Sequence, residues 1–130
     1  MKAILKLIIY LNKFIIKTIN TITNNIVFYR ENIVLKKSKI NGCVFVMNKG
    51  NIKIGANLKV NSGKKYNPIG GDTLFRLICK ENADIIIGNN VKISNSTIFC
   101  TNKITIKSNV MIGGSCKIWD TDFHALDKTI

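Results

Sequence analysis

The most regular feature of the chain is a short pattern of aliphatic and polar positions that occurs three times. The copies are residues 51–61, 84–94 and 103–113, and they align without gaps. Each copy has aliphatic residues at the same four positions, and an Asn directly precedes the third of them. An antiparallel sandwich has no reason to repeat such a string in register, whereas stacked coils do. The pattern therefore predicts an all-β repeat fold.

The spacing of the copies indicates which repeat fold this is. The last two copies begin 19 residues apart, close to the roughly 18 residues expected for three hexapeptides that form one turn of a β-helix. The first two begin 33 residues apart, which is one coil plus about 15 residues. Residues 61–73 are rich in Gly and Asn and contain the single Pro, as in a loop extruded from the coil. We predict a parallel β-helix over residues 31–130 with a loop insertion at 61–73.

Residues 1–30 have a different pattern, with polar residues spaced as on one side of a helix. Four lysines and two asparagines fall within about 60° of one another at 100° per residue. They are Lys2, Lys6, Lys13, Lys17, Asn20 and Asn24. The rest is largely apolar, but the lysines disfavour a membrane span and no signal-peptide cleavage site follows. We predict an amphipathic helix that either lies in an anionic membrane interface or packs on the domain and on neighbouring subunits.

Charge and cysteine content exclude two classes of function. The net charge of +13 belongs almost entirely to residues 1–71, which carry +12. These basic residues lack an interleaved aromatic platform or a reader motif, so no nucleic-acid partner is expected. The cysteines Cys43, Cys79, Cys100 and Cys116 form no CxxC pair, and the chain has one His. We therefore expect no metal site and small, buried cysteines in a reduced protein.

Two motifs on this repeat background carry a family resemblance. Residues 118–127 read Ile-Trp, a polar turn and then His-Ala-Leu-Asp, and they contain the single His and the single Trp. One coil earlier, Asn95 is followed closely by a Thr-Ile pair. With these motifs, the stretch from about residue 39 to 127 resembles the bacterial hexapeptide-repeat O-acetyltransferases. The similarity is greatest to those that acetylate capsule, lipopolysaccharide and exopolysaccharide sugars, which are similar in turn to galactoside and maltose acetyltransferases.

The resemblance implies a left-handed β-helix, a homotrimer with active sites between subunits, and acetyl-CoA as donor. By the same resemblance His124 is the expected general base, and Asn95 is expected either to hold the acceptor sugar or to position the reacting oxygen. Asp122 or Asp127 either orients the imidazole or only solvates a turn. Trp119 either contacts the acceptor or packs at a coil corner.

The chain also departs from the family that it resembles. Family members usually continue for several more coils that carry most coenzyme A contacts, so the chain resembles a C-terminally truncated member. We expect its cofactor-binding residues beyond residue 130. The alternative is a non-catalytic β-helical scaffold or partner subunit at the membrane surface. Either version is expected to be cytoplasmic, and peripheral attachment to the inner face of the membrane through residues 1–30 is one of the two alternatives for the N-terminal helix.

Overall fold

The computed structural model describes residues 1–71 and 73–124. Within this part of the chain one long helix, α1 (Lys2–Arg30), is followed by short strands that all pair in parallel. The strands are β1 (Lys39–Asn41), β2 (Val44–Asn48), β3 (Asn51–Ile54), β4 (Lys59–Asn61), β5 (Phe75–Cys79), β6 (Asp84–Ile87), β7 (Lys92–Ser94), β8 (Thr97–Cys100), β9 (Lys103–Ile106), β10 (Met111–Ile112) and β11 (Lys117–Trp119).

Three sheets arise because successive strands belong to different sheets and each strand pairs with the strand one turn later. Sheet A has the order β1-β4-β7-β10, sheet B the order β2-β5-β8-β11, and sheet C the order β3-β6-β9. The chain thus winds as a three-sided coil, the topology of a parallel β-helix. The predictions of an N-terminal helix and of parallel coils are both confirmed.

The aliphatic columns of the sequence pattern form the core of the coil. In sheet C, Ile52 pairs with Ile85 and Ile85 with Ile104, while the side chains between the aliphatic positions point outward. The same alternation in sheet A stacks Val60 on Ile93. Each coil thereby covers the apolar edge of the next one, and burial of these aliphatic columns stabilises the stack.

The Asn column lies at the corner between sheets C and A. Asn57, Asn90 and Asn109 all have positive φ, at 63°, 56° and 63°, a conformation that Asn tolerates better than most residues. The Asn57 amide donates to Asn90 Oδ1 at 2.9 Å, and the Asn90 amide donates to Asn109 Oδ1 at 3.1 Å. A Cβ atom at neighbouring Gly88 would lie 2.5 Å from the backbone nitrogen of Ser108. This corner therefore selects Asn for its backbone angle and Gly for close approach of the coils.

The extra residues of the second coil leave the stack at its corners. Fifteen residue steps separate Asn61 from Arg76, but only three separate their paired residues Ser94 and Thr97. Twelve extra residues therefore extend the corner between sheets A and B. Two more extend the corner at residues 80–83. The single insertion expected from the sequence is thus divided between two corners, and the coil register is unaffected by either.

The C-terminal end of α1 covers the first coil. Phe28 is 1% exposed, and it joins Ile33 in the same apolar cluster as the core columns. The Glu31 carboxylate accepts a hydrogen bond from the Asn48 backbone N–H at 2.7 Å, and the Glu31 carbonyl accepts one from the Asn48 side chain at 3.0 Å. These contacts fix the end of α1 against the end of β2.

The remainder of α1 extends away from the coils. Asn24 is buried and donates from its side-chain amide to the Gly42 carbonyl at 2.8 Å, and Asn20 accepts from the Cys43 thiol at 3.4 Å. Residues 1–19 are exposed. Packing of α1 on its own domain is therefore confined to its C-terminal third. Among the described residues, no helix has both the length and the apolarity needed to cross a membrane.

The cysteines fall into two groups, and all four are free thiols. Cys79 and Cys100 are buried, as expected from the sequence, and they stack on neighbouring rungs of sheet B. Cys43 and Cys116 are exposed, so the expectation of burial is wrong for these two. Both lie beside the corner between sheets A and B, where the chain leaves the apolar interior.

Candidate functional site on the outer face of sheet B

Sheet B presents two contrasting columns of side chains on its outer face. Alternation along each strand places these residues outward while their neighbours enter the core. One column is Phe45, Arg76, Thr97 and Lys117, and the other is Met47, Ile78, Phe99 and Trp119. Residues two apart on a strand are separated by about 7 Å. The first column holds two cations, Arg76 and Lys117, and is called the cationic column below. It lies directly beside the second column, which is apolar and aromatic.

An open groove of about 470 Å³ runs along the cationic column. Its walls are the column itself, the end of the loop at Thr73, and the corner at Asn95 and Cys116. Arg76 and Lys117 lie on either side of the Thr97 rung, about 10 Å apart at the usual strand spacing. Among the residues that the structure describes, the groove lining holds these two cations and no acidic side chain. Its electrostatic potential therefore favours an anionic group between the two cations.

Asn95 forms the wall of the groove by fastening the loop to the coil. Its side chain is 1% exposed. Asn95 Oδ1 accepts from the Gly63 N–H at 2.6 Å, and its amide donates to the Asn67 carbonyl at 3.0 Å. The Ser115 hydroxyl adds a second tie by donating to the Gly70 carbonyl at 2.8 Å. Asn95 thus lines the groove, and its role toward an acceptor sugar stays a prediction.

An aromatic cluster holds the segment that leads to His124. The Phe123 ring lies 5.0 Å from the Phe99 ring and 5.7 Å from the Trp119 ring, measured between centroids. Phe123 has a φ of 61°, which turns the chain back over the sheet. Trp119 packs against Phe123 but is still 48% exposed. His124 follows Phe123 directly in the chain and is exposed.

Asp120 is a site residue that the sequence reasoning missed. Its Oδ1 accepts from the Thr101 N–H at 2.6 Å and the Thr101 hydroxyl at 3.0 Å. Its Oδ2 accepts from the N–H groups of Asn102 and Lys103 at 2.8 and 2.7 Å and from the Cys100 thiol at 3.4 Å. Asp120 therefore fixes the end of β11 to the preceding coil, and with it the start of the segment 121–124.

These contacts shift two pKa values in opposite directions. Burial by itself would raise the pKa of Asp120, but the hydrogen bonds from Thr101, Asn102 and Cys100 outweigh it and hold that pKa well below its ordinary value. Burial, followed by the hydrogen bond to Asp120, raises the pKa of the Cys100 thiol to about 11. Asp120 is thus a permanent anion that caps a corner, and Cys100 is a protonated donor to it.

The remaining acidic candidates are placed differently. Asp122 is exposed, and within residues 1–71 and 73–124 it makes no hydrogen bond to His124. Its role in orienting the imidazole stays a prediction. Asp127 lies outside the described residues. In the part of the chain that the structure describes, no three His, Cys, Asp or Glu residues are grouped so as to hold a metal ion.

Comparisons with known proteins add no family assignment. No protein-family model, no curated protein and no solved structure matches the chain significantly. The resemblance to hexapeptide-repeat O-acetyltransferases therefore rests on the motifs around Asn95 and His124 and on the coil repeat.

Proposed function

We propose that this protein is an acetyl-CoA-dependent O-acetyltransferase that modifies a sugar hydroxyl of a cell-surface polysaccharide or its precursor. The observation that carries the proposal is the packing of Phe123, the residue before His124, on Phe99 and Trp119, which lie on the same sheet face as the cationic groove. The motif resemblance supplies the reaction class. A left-handed coil, a homotrimer and a cytoplasmic location, where acetyl-CoA is available, belong to the same proposal.

His124 acts as a general base in the proposed reaction. Its imidazole accepts the proton of the sugar hydroxyl while the hydroxyl oxygen forms a bond to the thioester carbonyl carbon. The carbon–sulfur bond then breaks, and the imidazolium gives its proton to the departing sulfur. The products are the O-acetyl sugar and the free thiol of coenzyme A, so atoms and protons balance.

The groove suggests the class of acceptor. Arg76 and Lys117 would bind a carboxylate or phosphate of the sugar, since both cations line the groove and guanidinium and ammonium groups bind such anions well. The exposed part of Trp119 would contact the apolar face of a sugar ring. We therefore expect an acidic saccharide to be a better acceptor than a neutral one of the same size.

The test is acceptor-dependent release of thiol from acetyl-CoA by the full chain. Replacement of a general base lowers turnover by about 10² to 10⁴, so His124→Ala is expected to lose turnover by at least 10². Thr105→Ala, an exposed change on sheet C, is the matched control and should leave turnover unchanged. Retained turnover in His124→Ala would remove the base assignment.

A non-catalytic scaffold or partner subunit is the second candidate, and it is favoured by the exposed apolar surface of α1. Calorimetric titration of the folded chain with acetyl-CoA separates the two. Saturable binding would support the transferase and would show that residues 1–130 already form a donor site. A folded chain that neither binds acetyl-CoA nor releases thiol with any acidic acceptor would support the scaffold instead.

A further inference from the structure

The orientation of α1 is the reverse of that of an ordinary surface helix. In a globular protein the apolar side of a helix faces the core and the polar side faces water. Here the side that touches the domain carries Asn20 and Asn24, which bond to the first coil. At 100° per residue, Ile8, Ile15 and Ile22 lie within about 40° of one another and about 180° from Asn24. At its C-terminal third α1 thus contacts the domain through the side that carries these asparagines and Phe28, and its isoleucine side is uncovered along the whole helix.

The uncovered surface is large and continuous. Ile8, Ile15 and Ile22 are 50%, 51% and 55% exposed. Further exposed apolar residues extend the surface along the whole helix, namely Ile4, Leu7, Leu11, Phe14, Ile19 and Ile26. Ile4 and Ile26 are separated by 22 residue steps, which is about 33 Å along a helix. Contiguous apolar surface on this scale marks an interaction site.

Charge decides between a lipid surface and other copies of α1. Residues 1–30 contain five basic side chains and no acidic one. A bundle of such helices would bring like charges together without the acidic partners that pair with lysine in coiled coils. An anionic bilayer instead supplies both an apolar phase and negative charge.

Basic residues of the coil extend this charge. Lys17 of α1 and Lys39 of β1 line the same cavity. Lys39 pairs in register with Lys59, and Lys59 with Lys92, on the outer face of sheet A. Like charges on adjacent strands repel one another, and among the described residues none of these lysines has an ion-pair partner. A nearby anionic surface would relieve that repulsion.

We propose that α1 lies in the interface of an anionic lipid bilayer, with its isoleucine side in the acyl region and its lysine stripe toward the headgroups and the domain. The helix is held to the coil by Phe28, Glu31 and Asn24. Membrane attachment would therefore set the orientation of the whole domain. The proposal does not depend on the proposed enzymatic activity.

The test is flotation of the full chain with vesicles of phosphatidylcholine and 30% phosphatidylglycerol, compared with phosphatidylcholine alone. The chain is expected to float with the anionic vesicles and to bind the neutral ones at least tenfold more weakly. Each lysine near an anionic surface contributes about fivefold to the binding constant. The double variant Lys6→Gln/Lys13→Gln should therefore bind about 25-fold more weakly, and salt should weaken binding of the unmodified chain.

Two double variants with equal charge change separate the apolar side from net charge. Ile8→Glu/Ile15→Glu should abolish flotation, whereas Ile69→Glu/Thr105→Glu, at exposed positions outside α1, should retain it. Flotation of the first variant equal to that of the unmodified chain would overturn the proposal. So would failure of the unmodified chain to float, and a sedimentation shift to monomers in Ile8→Glu/Ile15→Glu would then identify the apolar side as an interface between copies. Circular dichroism verifies that both variants are folded.

Discussion

Replacement of Asp120 by Asn is the sharpest test of how the end of β11 is held. The substitution keeps the shape of the side chain, removes its charge and converts one acceptor oxygen into an NH₂ donor. In the native chain each carboxylate oxygen faces at least two donors, with Thr101 on one side and Asn102 and Lys103 on the other. An amide can serve only one of these two groups, because its NH₂ would point at donors.

The cost follows from the number of hydrogen bonds lost. If the amide oxygen remains on Thr101, the N–H groups of Asn102 and Lys103 lose their charged acceptor. A hydrogen bond to a charged group contributes about 1.5 to 3 kcal/mol. Because the site is partly exposed, water replaces part of that loss. We expect Asp120→Asn to lower the free energy of unfolding by about 2 to 3 kcal/mol at neutral pH.

The pH dependence of this loss has a definite sign. The hydrogen bonds hold the pKa of Asp120 below its ordinary value in the folded chain, whereas in the unfolded chain it titrates near 3.9. Its contribution to stability is therefore fully present above about pH 5 and declines as the pH falls below about 4 toward the lower folded-state pKa. The difference in free energy of unfolding between the native chain and Asp120→Asn should therefore decrease as the solution becomes acidic.

Urea unfolding followed by circular dichroism at pH 7 and pH 3 measures both effects. Asp122→Asn is the matched control because this neighbouring carboxylate is exposed, and it should change stability by less than about 0.5 kcal/mol. Equal stability of Asp120→Asn and the native chain at pH 7 would refute the reasoning. A gap that is as wide at pH 3 as at pH 7 would refute the ionic part of it.

Two further predictions concern the corners and the thiols. Gly88→Ala places a Cβ atom 2.5 Å from a backbone nitrogen of the next coil, so chemical denaturation should show a loss of about 1 to 3 kcal/mol, and unchanged stability would mean that the coils separate freely there. In the native chain a thiol reagent should modify Cys43 and Cys116 rapidly and Cys79 and Cys100 only after unfolding, because burial raises the pKa of both buried thiols. Mass spectrometry identifies the labelled residues, and four equally fast thiols would contradict the burial.

The sequence predicts the fold where repetition is uninterrupted. The columns at Ile52, Ile85 and Ile104 appear in the alignment of the three copies, and the structure stacks them. The columns of sheet B do not appear in that alignment, because Leu77 lies between the twelve-residue insertion and the two-residue extension at 80–83, and no gap-free alignment reaches it from either side. A periodic pattern can be found in the sequence only where equivalent residues are separated by equal numbers of residues. An insertion at a corner changes that number, but the distance between the stacked strands stays the same.

The site was predictable where a side chain itself carries the signal. His124 and Trp119 attract notice as single occurrences of their types, and the structure places Trp119 in contact with Phe123, the residue before His124. Asp120 does not attract notice in the sequence, because its partners are backbone N–H groups whose direction depends on the corner geometry. The side of α1 that contacts the domain could not be predicted from the sequence either, since the contact depends on a hydrogen bond from Asn24 to the Gly42 carbonyl.

At the corner between sheets A and B, the number of residues in the loop does not affect where the next strand lies. Twelve residues enter there, yet Arg76 returns to the rung set by Thr97, because the interior columns fix where every strand must resume. The loop is held at its flank by Asn95 and at Gly70 by Ser115, not by its length. Loops of other lengths and compositions could therefore replace this one at the corner, and the position of the segment that leads to His124 would not change. In the proposed transferase, the acceptor bound beside the loop could therefore change without a change in the coil.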